Sequence, residues 1–245
     1  MSDDVAAPGY RAVVVCNGDP PSQGLAMRMA RGADLVVCTD GAAEVAVARG
    51  LRVDAVVGDM DSGGTRLLGA HCVDAGPHDL QDNTDSEKAL LYAIERAEAQ
   101  GFRGAEQVEI LMLGATGTRI DHAFANIQLC LRYACRAAVR LVSDHWELHV
   151  VVDRLCLDLP VPTTVSLLPL LPGTQVRTTG LRWELAGVAG PCDFGVSNRA
   201  VQSQVVVDVS EGALAVVVLA DEGGQDGRSG EHRLHPACRA GKREG

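Results

Sequence analysis

The first half of the chain alternates short apolar runs with segments of helical periodicity. The apolar runs have the length of strands, and the segments between them carry apolar residues every three or four positions. Strands and helices that alternate at this spacing predict a parallel sheet covered by helices on both faces. The predicted strands are residues 11–16, 35–38, 54–57 and 108–113, and the predicted helices are residues 25–31, 42–49, 85–99 and 118–134.

After about residue 138 the pattern changes to short β-rich runs separated by proline and glycine. These predicted strands are residues 139–143, 146–152, 164–170, 175–181, 204–209 and 213–219. No segment of helical periodicity interrupts these runs, which favours an all-β sandwich as a second domain. The sequence therefore predicts an α/β domain with a parallel sheet over residues 1–138 and an all-β sandwich domain over residues 139–220. A disordered tail is predicted over residues 221–245, because glycine and charged residues replace the apolar periodicity there.

The composition narrows the class of protein. The chain of 245 residues has 22 lysines and arginines against 32 aspartates and glutamates, a formal charge of −10. This balance disfavours nucleic acid and anionic membrane as partners, since both require basic surfaces. The N-terminus lacks the features of a signal peptide, and the apolar runs are too short to cross a bilayer. The 8 cysteines show neither CxxC pairs nor zinc-finger spacing, so we expect reduced cysteines and a cytoplasmic protein.

Aspartates recur where the predicted strands end. Asp59 and Asp61 close the segment VVGDMDS, and residues two apart in extended chain point to the same side. Taken alone, this pair fits a solvated turn better than a site. Asp40, Asp82 and Asp85 occupy comparable positions, however, and ligands of parallel sheets lie beyond the carboxyl ends of the strands. Several carboxylates without a cysteine and histidine set predict a Mg²⁺ site rather than a zinc site.

The segment TDSEK has the residue spacing of a helix N-terminus. Thr84 and Glu87 match a capping box, in which Thr84 caps the helix and Glu87 returns the bond. Asp85 then lies in the first turn, where the helix dipole favours a carboxylate that also reaches a metal. Lys88 lies one turn after Thr84, and its spacing supports phosphate contact and ion pairing with an acid about equally.

The segment GATGTRIDHAFAN joins a predicted strand to a helix through a loop with two glycines. The free N–H groups of such a loop bind anions, although the GK[ST] ending of a Walker loop is absent. Arg119 is expected to give a bidentate phosphate contact. His122 and Asn126 share one helix face, and with Asp121 nearby they are expected to line a cleft. The residues expected to form the buried face of this helix are Ile120, Phe124, Ile127 and Leu131.

The segment TTGLRWEL contains Trp183, one of only 2 tryptophans in the chain. A buried tryptophan where the two domains meet is the default interpretation, because large aromatic rings usually fill cores. The alternative is a ring that stacks on a flat heterocyclic ligand.

Taken in order, these motifs resemble the thiamin pyrophosphokinase family. The matching segments are CTDGAA, VVGDMDS, DNTDSEKAL, GATGTRIDHAFAN, SLLPL, TTGLRWEL and VSN, which span roughly residues 11–219. The resemblance implies an α/β domain followed by a β-sandwich, in a homodimer whose thiamin site lies at the subunit interface. It also implies Mg²⁺-dependent transfer of a pyrophosphoryl group from ATP to the thiamin hydroxyl, with release of AMP.

The resemblance assigns roles to individual residues as well. Mg²⁺ would be bound against the ATP phosphates by Asp59, Asp61 and Asp85. Thr118 departs from the family pattern, because the family commonly has glycine at this position. The residues implied for catalysis are Asp59, Asp61, Asp85, Arg119 and Asp121. Those implied for ATP and phosphate binding are Asp40, Asp82, Lys88, Arg119, His122 and Asn126. Those implied for thiamin binding are Gln81, Trp183, Ser197 and Asn198.

Two other functions remain possible on the residues alone. Acid clusters with an Asp-His pair also suit a metal-dependent phosphoesterase, although such a site calls for more histidines than the first half supplies. A non-catalytic sensor would bind a thiamin compound tightly without releasing AMP. The presence of phosphate-handling residues favours the kinase over both.

Overall fold

The computed structural model describes residues 9–58, 83–190 and 195–220, together with the backbone of residues 71–74. The tail predicted over residues 221–245 lies outside the described residues. Four of the predicted site residues also lie outside them, namely Asp59, Asp61, Gln81 and Asp82.

A parallel sheet forms the centre of the first of two compact units. Its strands are β1 (Tyr10–Val15), β2 (Leu35–Thr39), β3 (Ala55–Gly58), β4 (His71–Asp74), β5 (Val108–Leu113) and β6 (Ala138–Val142). Within the described chain they lie in the order β6, β5, β1, β2, β3, β4, and each neighbouring pair is parallel. The prediction of an α/β domain with a parallel sheet is confirmed.

The strand order reverses at β1, while the strands themselves stay parallel. The chain builds β2, β3 and β4 outward on one side of β1, then returns to place β5 on its other side. Strand β5 is buried along its whole length, as expected for a central strand covered on both faces. In open α/β sheets, ligands bind at such a reversal, beyond the carboxyl ends of the strands.

Four α-helices are described in this unit. They are α1 (Gln23–Ala30), α2 (Ala43–Ala48), α3 (Asp85–Ala99) and α4 (Ile120–Arg132). Among the helices of the described residues, none has the length and apolar character needed to cross a membrane. Helix α3 has the bounds predicted from its apolar period, and its buried stripe includes Leu90 and Ile94.

Helix α4 buries a different face from the predicted one. Ile120 and Phe124 are 79% and 62% exposed, while Ala123, Asn126 and Cys130 are buried. The reason is that Asn126 faces inward and its amide donates a hydrogen bond to the carbonyl of the strand-to-helix loop. A polar group whose hydrogen bonds are satisfied can be buried at little cost. The buried face predicted from the apolar residues alone is therefore wrong.

The second unit is a pair of antiparallel layers. Its strands are β7 (Trp146–Val151), β8 (Arg154–Asp158), β9 (Thr164–Pro169), β10 (Thr174–Thr179), β11 (Ala186–Ala189), β12 (Gly195–Arg199), β13 (Gln204–Glu211) and β14 (Leu214–Leu219). One layer has the order β11, β10, β13, β8, and the other has the order β12, β9, β14, β7. Leu157 and Val207 of the first layer share a buried cluster with Leu167 and Val216 of the second. The predicted β-sandwich is confirmed.

The boundary between the units lies between Asp144 and His145. Strand β6, which the sequence assigned to the second domain from residue 139, belongs instead to the first unit because it pairs in parallel with β5. The strands that the sequence did not predict include β11, which is short and mostly exposed. Such a strand carries little apolar signal.

The cysteines differ from the expectation at one position. Cys16, Cys38 and Cys130 are buried free thiols, and Cys135 is an exposed one. Cys156 is disulfide-bonded, so the expectation of reduced cysteines is wrong for this residue.

Candidate active site

A cleft of about 540 Å³ opens in the first unit at the carboxyl ends of β1, β2 and β5. The loops after these strands line it, together with the first turns of α3 and α4. The cleft therefore lies beside β1, at the point where the strand order reverses. This is the position at which a parallel sheet offers a binding site.

The loops after β1 and β5 are held against each other by their backbones. Gly18 N donates to Gly114 O at 2.8 Å, and Asp19 N donates to Thr116 O at 2.7 Å. A Cβ atom on Gly18 would overlap both of these acceptor oxygens. Gly114 has a φ of +62°, a conformation that glycine adopts without steric cost. The glycine loop is thus fixed from behind by the turn after β1.

Asn126 fixes the same loop from the side of α4. Its Nδ2 donates to Ala115 O at 2.6 Å, and the residue is buried. Asn126 also lines the cleft beside His122, so the structure brings together the two residues that the sequence placed on one helix face. Its contact with ATP stays a prediction.

Arg119 and Asp121 lie at the start of α4. Arg119 is the N-cap residue but makes no side-chain cap, so the helix presents N–H groups that suit an anion. The hydrogen bonds from Arg119 chiefly hold the pKa of Asp121 far below its usual range, and Asp121 raises the pKa of Arg119 in turn. Both side chains are exposed, and Arg119 lines the cleft.

The first turn of α3 supplies the opposite wall of the cleft. Thr84 Oγ1 accepts a hydrogen bond from Glu87 N at 3.2 Å, which confirms Thr84 as the N-cap. Lys88 Nζ lies 3.0 Å from Asp85 Oδ1, which is the ion pair that the spacing allowed, and its contact with phosphate stays a prediction. Asp85 lines the cleft with Thr84.

Glu87 has other partners than the capping box predicts. Its Oε1 accepts hydrogen bonds from Arg132 Nη1 at 2.8 Å and from Tyr133 Oη at 2.6 Å. Burial, followed by the bond to Glu87, raises the pKa of Tyr133 to about 12. Glu87 therefore ties α3 to the end of α4 rather than closing its own helix.

Asp40 lies at the end of β2, in a short 3-10 turn over Asp40–Ala42. It is buried, and a Cβ atom on Gly58 would come within 2.7 Å of the Asp40 Cβ. Its neighbours Thr39 and Gly41 line the cleft, whereas Asp40 is not among the described lining residues. Asp40 thus lies beside the end of β3, behind the cleft wall.

The described residues do not form a complete metal-binding cluster. Among residues 9–58, 83–190 and 195–220, no three His, Cys, Asp or Glu side chains lie close enough together to hold a metal ion. Two of the three predicted ligands, Asp59 and Asp61, lie outside these residues. Asp19 and Asp85 give the cleft carboxylate oxygens, which are donors that Mg²⁺ prefers. The donor chemistry therefore fits Mg²⁺.

The predicted thiamin residues of the second unit lie close together. Trp183 is 55% exposed, so its default interpretation as a core residue is wrong for this unit. The guanidinium carbon of Arg182 lies 4.8 Å from the centroid of the Trp183 ring. Asn198 is buried and bonds to the backbone of Trp183, and Ser197 beside it has a φ of +60°. The stacking interpretation of Trp183 stays a prediction.

The motif assignment missed the turn after β1. Asn17, Gly18 and Asp19 all line the cleft, and the sequence motifs gave none of them a role. The available signal was the position of the turn, since the first strand of an α/β sheet often lies at the reversal point. Polar residues directly after that strand are candidates for ligand contact.

Two models of one protein family match this chain. The model described as "Thiamin pyrophosphokinase, catalytic domain" matches residues 26–142, and the model described as "Thiamin pyrophosphokinase, vitamin B1 binding domain" matches residues 155–214. The chain belongs to the thiamin pyrophosphokinase family. The first match falls within the α/β unit and the second within the β-sandwich.

Curated relatives of this family are moderately similar in sequence. Thiamine pyrophosphokinase 1 of Oryza sativa subsp. japonica is 31% identical over 146 residues, which cover 54% of this chain and 52% of that protein. Thiamine pyrophosphokinase 1 of Arabidopsis thaliana is 28% identical over 181 residues, which cover 63% of this chain and 66% of that protein. The chain spans about half to two thirds of the length of these relatives.

Solved structures of the family share the fold. Thiamin pyrophosphokinase from Geobacillus thermodenitrificans has a TM-score of 0.69 at 24% identity, covering 87% of this chain and 99% of that one. Yeast thiamin pyrophosphokinase has a TM-score of 0.69 at 16% identity, covering 87% of both chains. At these identities the likeness establishes the architecture and leaves the chemistry to the site.

Proposed function

We propose that this chain transfers a pyrophosphoryl group from ATP to the hydroxyl of thiamin in a Mg²⁺-dependent reaction that releases AMP. The cleft at the reversal beside β1 carries the proposal. A glycine loop of fixed backbone, an arginine and a helix N-terminus meet there, and all three suit phosphate oxygens. Membership of the thiamin pyrophosphokinase family supports the choice of substrates.

The residues of the cleft would act mainly through charge. Arg119 has a planar guanidinium that can bind two phosphate oxygens at once, and Lys88 would add a second cation. Asp85 would hold Mg²⁺ with Asp59 and Asp61, and the ion would neutralise charge on the phosphates. Phosphoryl-type transfer depends on such positioning and charge stabilisation more than on a strong base.

Asp121 is a poor candidate for the proton acceptor in this scheme. Both of its carboxylate oxygens accept hydrogen bonds from Arg119, and its pKa is far below its usual range chiefly for that reason. A carboxylate of such low basicity takes up a proton from an alcohol weakly. We assign Asp121 instead to the orientation of Arg119.

The thiamin half of the proposal involves the second unit. An exposed indole ring at Trp183 can stack on a flat heterocycle, and aromatic rings also attract cationic ligands. We further propose a homodimer with the thiamin site at the subunit interface, which rests on the family resemblance. The proposed cytoplasmic location rests on the N-terminal sequence and the cysteine spacing instead. The molar mass of the purified protein, measured by light scattering, tests the dimer. Steady-state kinetics test the ring, since Trp183→Ala should raise the thiamin KM far more than the ATP KM.

One assay tests the reaction against its alternatives. The protein is incubated with Mg²⁺, ATP and thiamin, and AMP and thiamin diphosphate are measured by mass spectrometry with each component omitted in turn. The proposal expects both products in equal amounts, and only when thiamin is present. AMP or ADP release without thiamin would indicate a phosphoesterase, and tight thiamin binding without either product would indicate a sensor.

A further inference from the structure

Asn198 lies buried in β12 with its side-chain amide turned toward the segment that carries Trp183. Its Nδ2 donates to Trp183 O at 2.6 Å, and its Oδ1 accepts from Trp183 N at 3.1 Å. The same oxygen accepts from Arg199 N at 2.8 Å. One side chain thus binds both backbone groups of Trp183, and Asn198 is only 2% exposed.

The surrounding backbone holds this arrangement in place. Leu181 forms an isolated antiparallel bridge with Ala200, and Arg182 N donates to Arg199 O at 2.8 Å. Ser197 adopts a φ of +60°, which is uncommon outside glycine and costs conformational energy. The left-handed backbone at Ser197 directly precedes Asn198 and accompanies its inward orientation.

The indole ring contrasts with this fixed backbone. Trp183 is 55% exposed although its N–H and C=O are both engaged, and Arg182 covers part of the ring with its guanidinium. A ring presented from a fixed backbone retains only its two side-chain torsions. Such preorganisation lowers the entropy cost of stacking a ligand on the ring.

We infer that Asn198 is a positioning residue that acts on thiamin through Trp183, rather than a residue that contacts the ligand. The inference rests on the proposed function, because it takes thiamin as the ligand of Trp183. It changes the role that family resemblance gives to Asn198. Its buried amide is committed to three backbone bonds, which leaves the exposed indole ring as the surface that meets the ligand.

A double-mutant cycle tests this role by measuring the thiamin Kd calorimetrically. Trp183→Ala should weaken thiamin binding by about tenfold or more, the scale of a lost stacking contact. Asn198→Ala should also weaken it by about tenfold, but should add nothing in the Trp183→Ala background because its effect passes through the ring. Equal weakening in both backgrounds would show direct contact between Asn198 and thiamin and would overturn the inference.

Thr174→Val is the matched control for lost buried hydrogen bonds. Thr174 is buried in the same sandwich, and its hydroxyl donates to Leu171 O at 2.7 Å and accepts from Ala213 N at 3.3 Å. The control should lower Tm without changing the thiamin Kd, whereas Asn198→Ala should change both. If Asn198→Ala does not fold, Asn198→Ser keeps a polar side chain and enters the same cycle.

A ligand-free measurement separates this inference from the proposed function. In a Trp146→Phe background, time-resolved fluorescence anisotropy reports the motion of the Trp183 ring alone, since the chain has only 2 tryptophans. Asn198→Ala should increase the amplitude of fast ring motion, while Thr174→Val should not. If wild-type protein fails to bind thiamin, the proposed substrate is wrong, and unchanged ring motion in Asn198→Ala would overturn the positioning role.

Discussion

Arg119 and Asp121 hold each other through two parallel hydrogen bonds at the mouth of the cleft. Nε of Arg119 lies 2.9 Å from Oδ1 of Asp121, and Nη2 lies 2.6 Å from Oδ2. Arg52 and Asp54 form a second pair with the same spacing before β3, with Nε 2.8 Å from Oδ1. The two arginine side chains are 69% and 70% exposed. The two arginines are thus matched in exposure and in pairing geometry, while Asp54 also accepts a hydrogen bond from Val36 N.

Replacement of the two arginines separates phosphate binding from pairing. Arg119→Gln should lower kcat/KM for ATP by roughly 100-fold, the scale of a lost electrostatic donor in an active site. Arg52→Gln removes a similar pair and should leave kcat/KM within about twofold, since Arg52 is not among the described residues that line the cleft. Its effect on stability should be small, because exposed pairs contribute little. Steady-state kinetics and thermal melts of both variants measure this. Equal effects of the two changes would refute the role of Arg119 in the cleft.

Asp121→Asn tests the carboxylate as an orienting group rather than a base. Turnover should fall by roughly tenfold because Arg119 loses its partner. The shape of the kcat profile between about pH 5 and 9 should not change, because the lowered pKa of Asp121 keeps this acid ionised throughout that range. Loss of the acidic limb in Asp121→Asn would instead identify Asp121 as the group that accepts the proton.

In the proposed reaction, the ion pair between Lys88 and Asp85 would link metal binding to phosphate binding. Asp85→Asn frees Lys88 and removes one negative charge, so ATP in EDTA should bind about threefold more tightly, the scale of an exposed ion pair. The gain in ATP affinity on adding Mg²⁺ should shrink at the same time, because a predicted ligand is lost. Calorimetry with and without Mg²⁺ measures both. Lys88→Gln is the control and should weaken ATP binding in EDTA. If Asp85→Asn instead binds ATP more weakly in EDTA, the ion pair does not hold Lys88 back from phosphate.

Apolar periodicity predicted the fold well wherever a strand or helix buries a regular stripe. Helix α3 has the bounds that its pattern indicates, and β5 was recognisable because all of its residues are buried. Strand β11 escaped prediction because three of its four residues are exposed. A strand with little buried surface thus leaves little apolar pattern in the sequence.

The cleft was predictable only in part, because several of its residues bind the backbone of loops. Hydrophobic periodicity describes helices and strands and gives no information on such loops. Asp85 and Arg119 were predicted because charged residues after strands are conspicuous, and both line the cleft. Asp59, Asp61 and Asp82 lie outside the described residues, and their roles stay predictions. Asn126 turned α4 away from its apolar stripe because a single hydrogen bond to Ala115 satisfies its buried amide. The contact of Gly18 with the glycine loop joins residues far apart in the sequence, and nothing local indicates it.

The close approach of the two cleft loops can be tested at Gly18. A methyl group there meets backbone oxygens, so Gly18→Ala should destabilise the protein by roughly 1–3 kcal/mol, the usual cost of overpacking. Gly24 in α1 is the matched control, since its Cβ would meet only side-chain atoms, at 3.7 Å and beyond. Gly24→Ala should be neutral or stabilising by up to about 1 kcal/mol. Urea denaturation of both variants measures this, and a Gly18→Ala protein of wild-type stability would contradict the close packing.

Thiol labelling tests the burial of the first unit without any substitution. Burial raises the pKa of the Cys16 thiol to about 11 and the pKa values of Cys38 and Cys130 to about 12. Thiolate is the form that reacts with iodoacetamide, so these three cysteines should stay unmodified at about pH 8 while exposed Cys135 is alkylated. Peptide mass spectrometry quantifies each site, and denaturation in urea should make all four react alike. Alkylation of Cys38 in the folded protein as fast as Cys135 would contradict the buried position of β2.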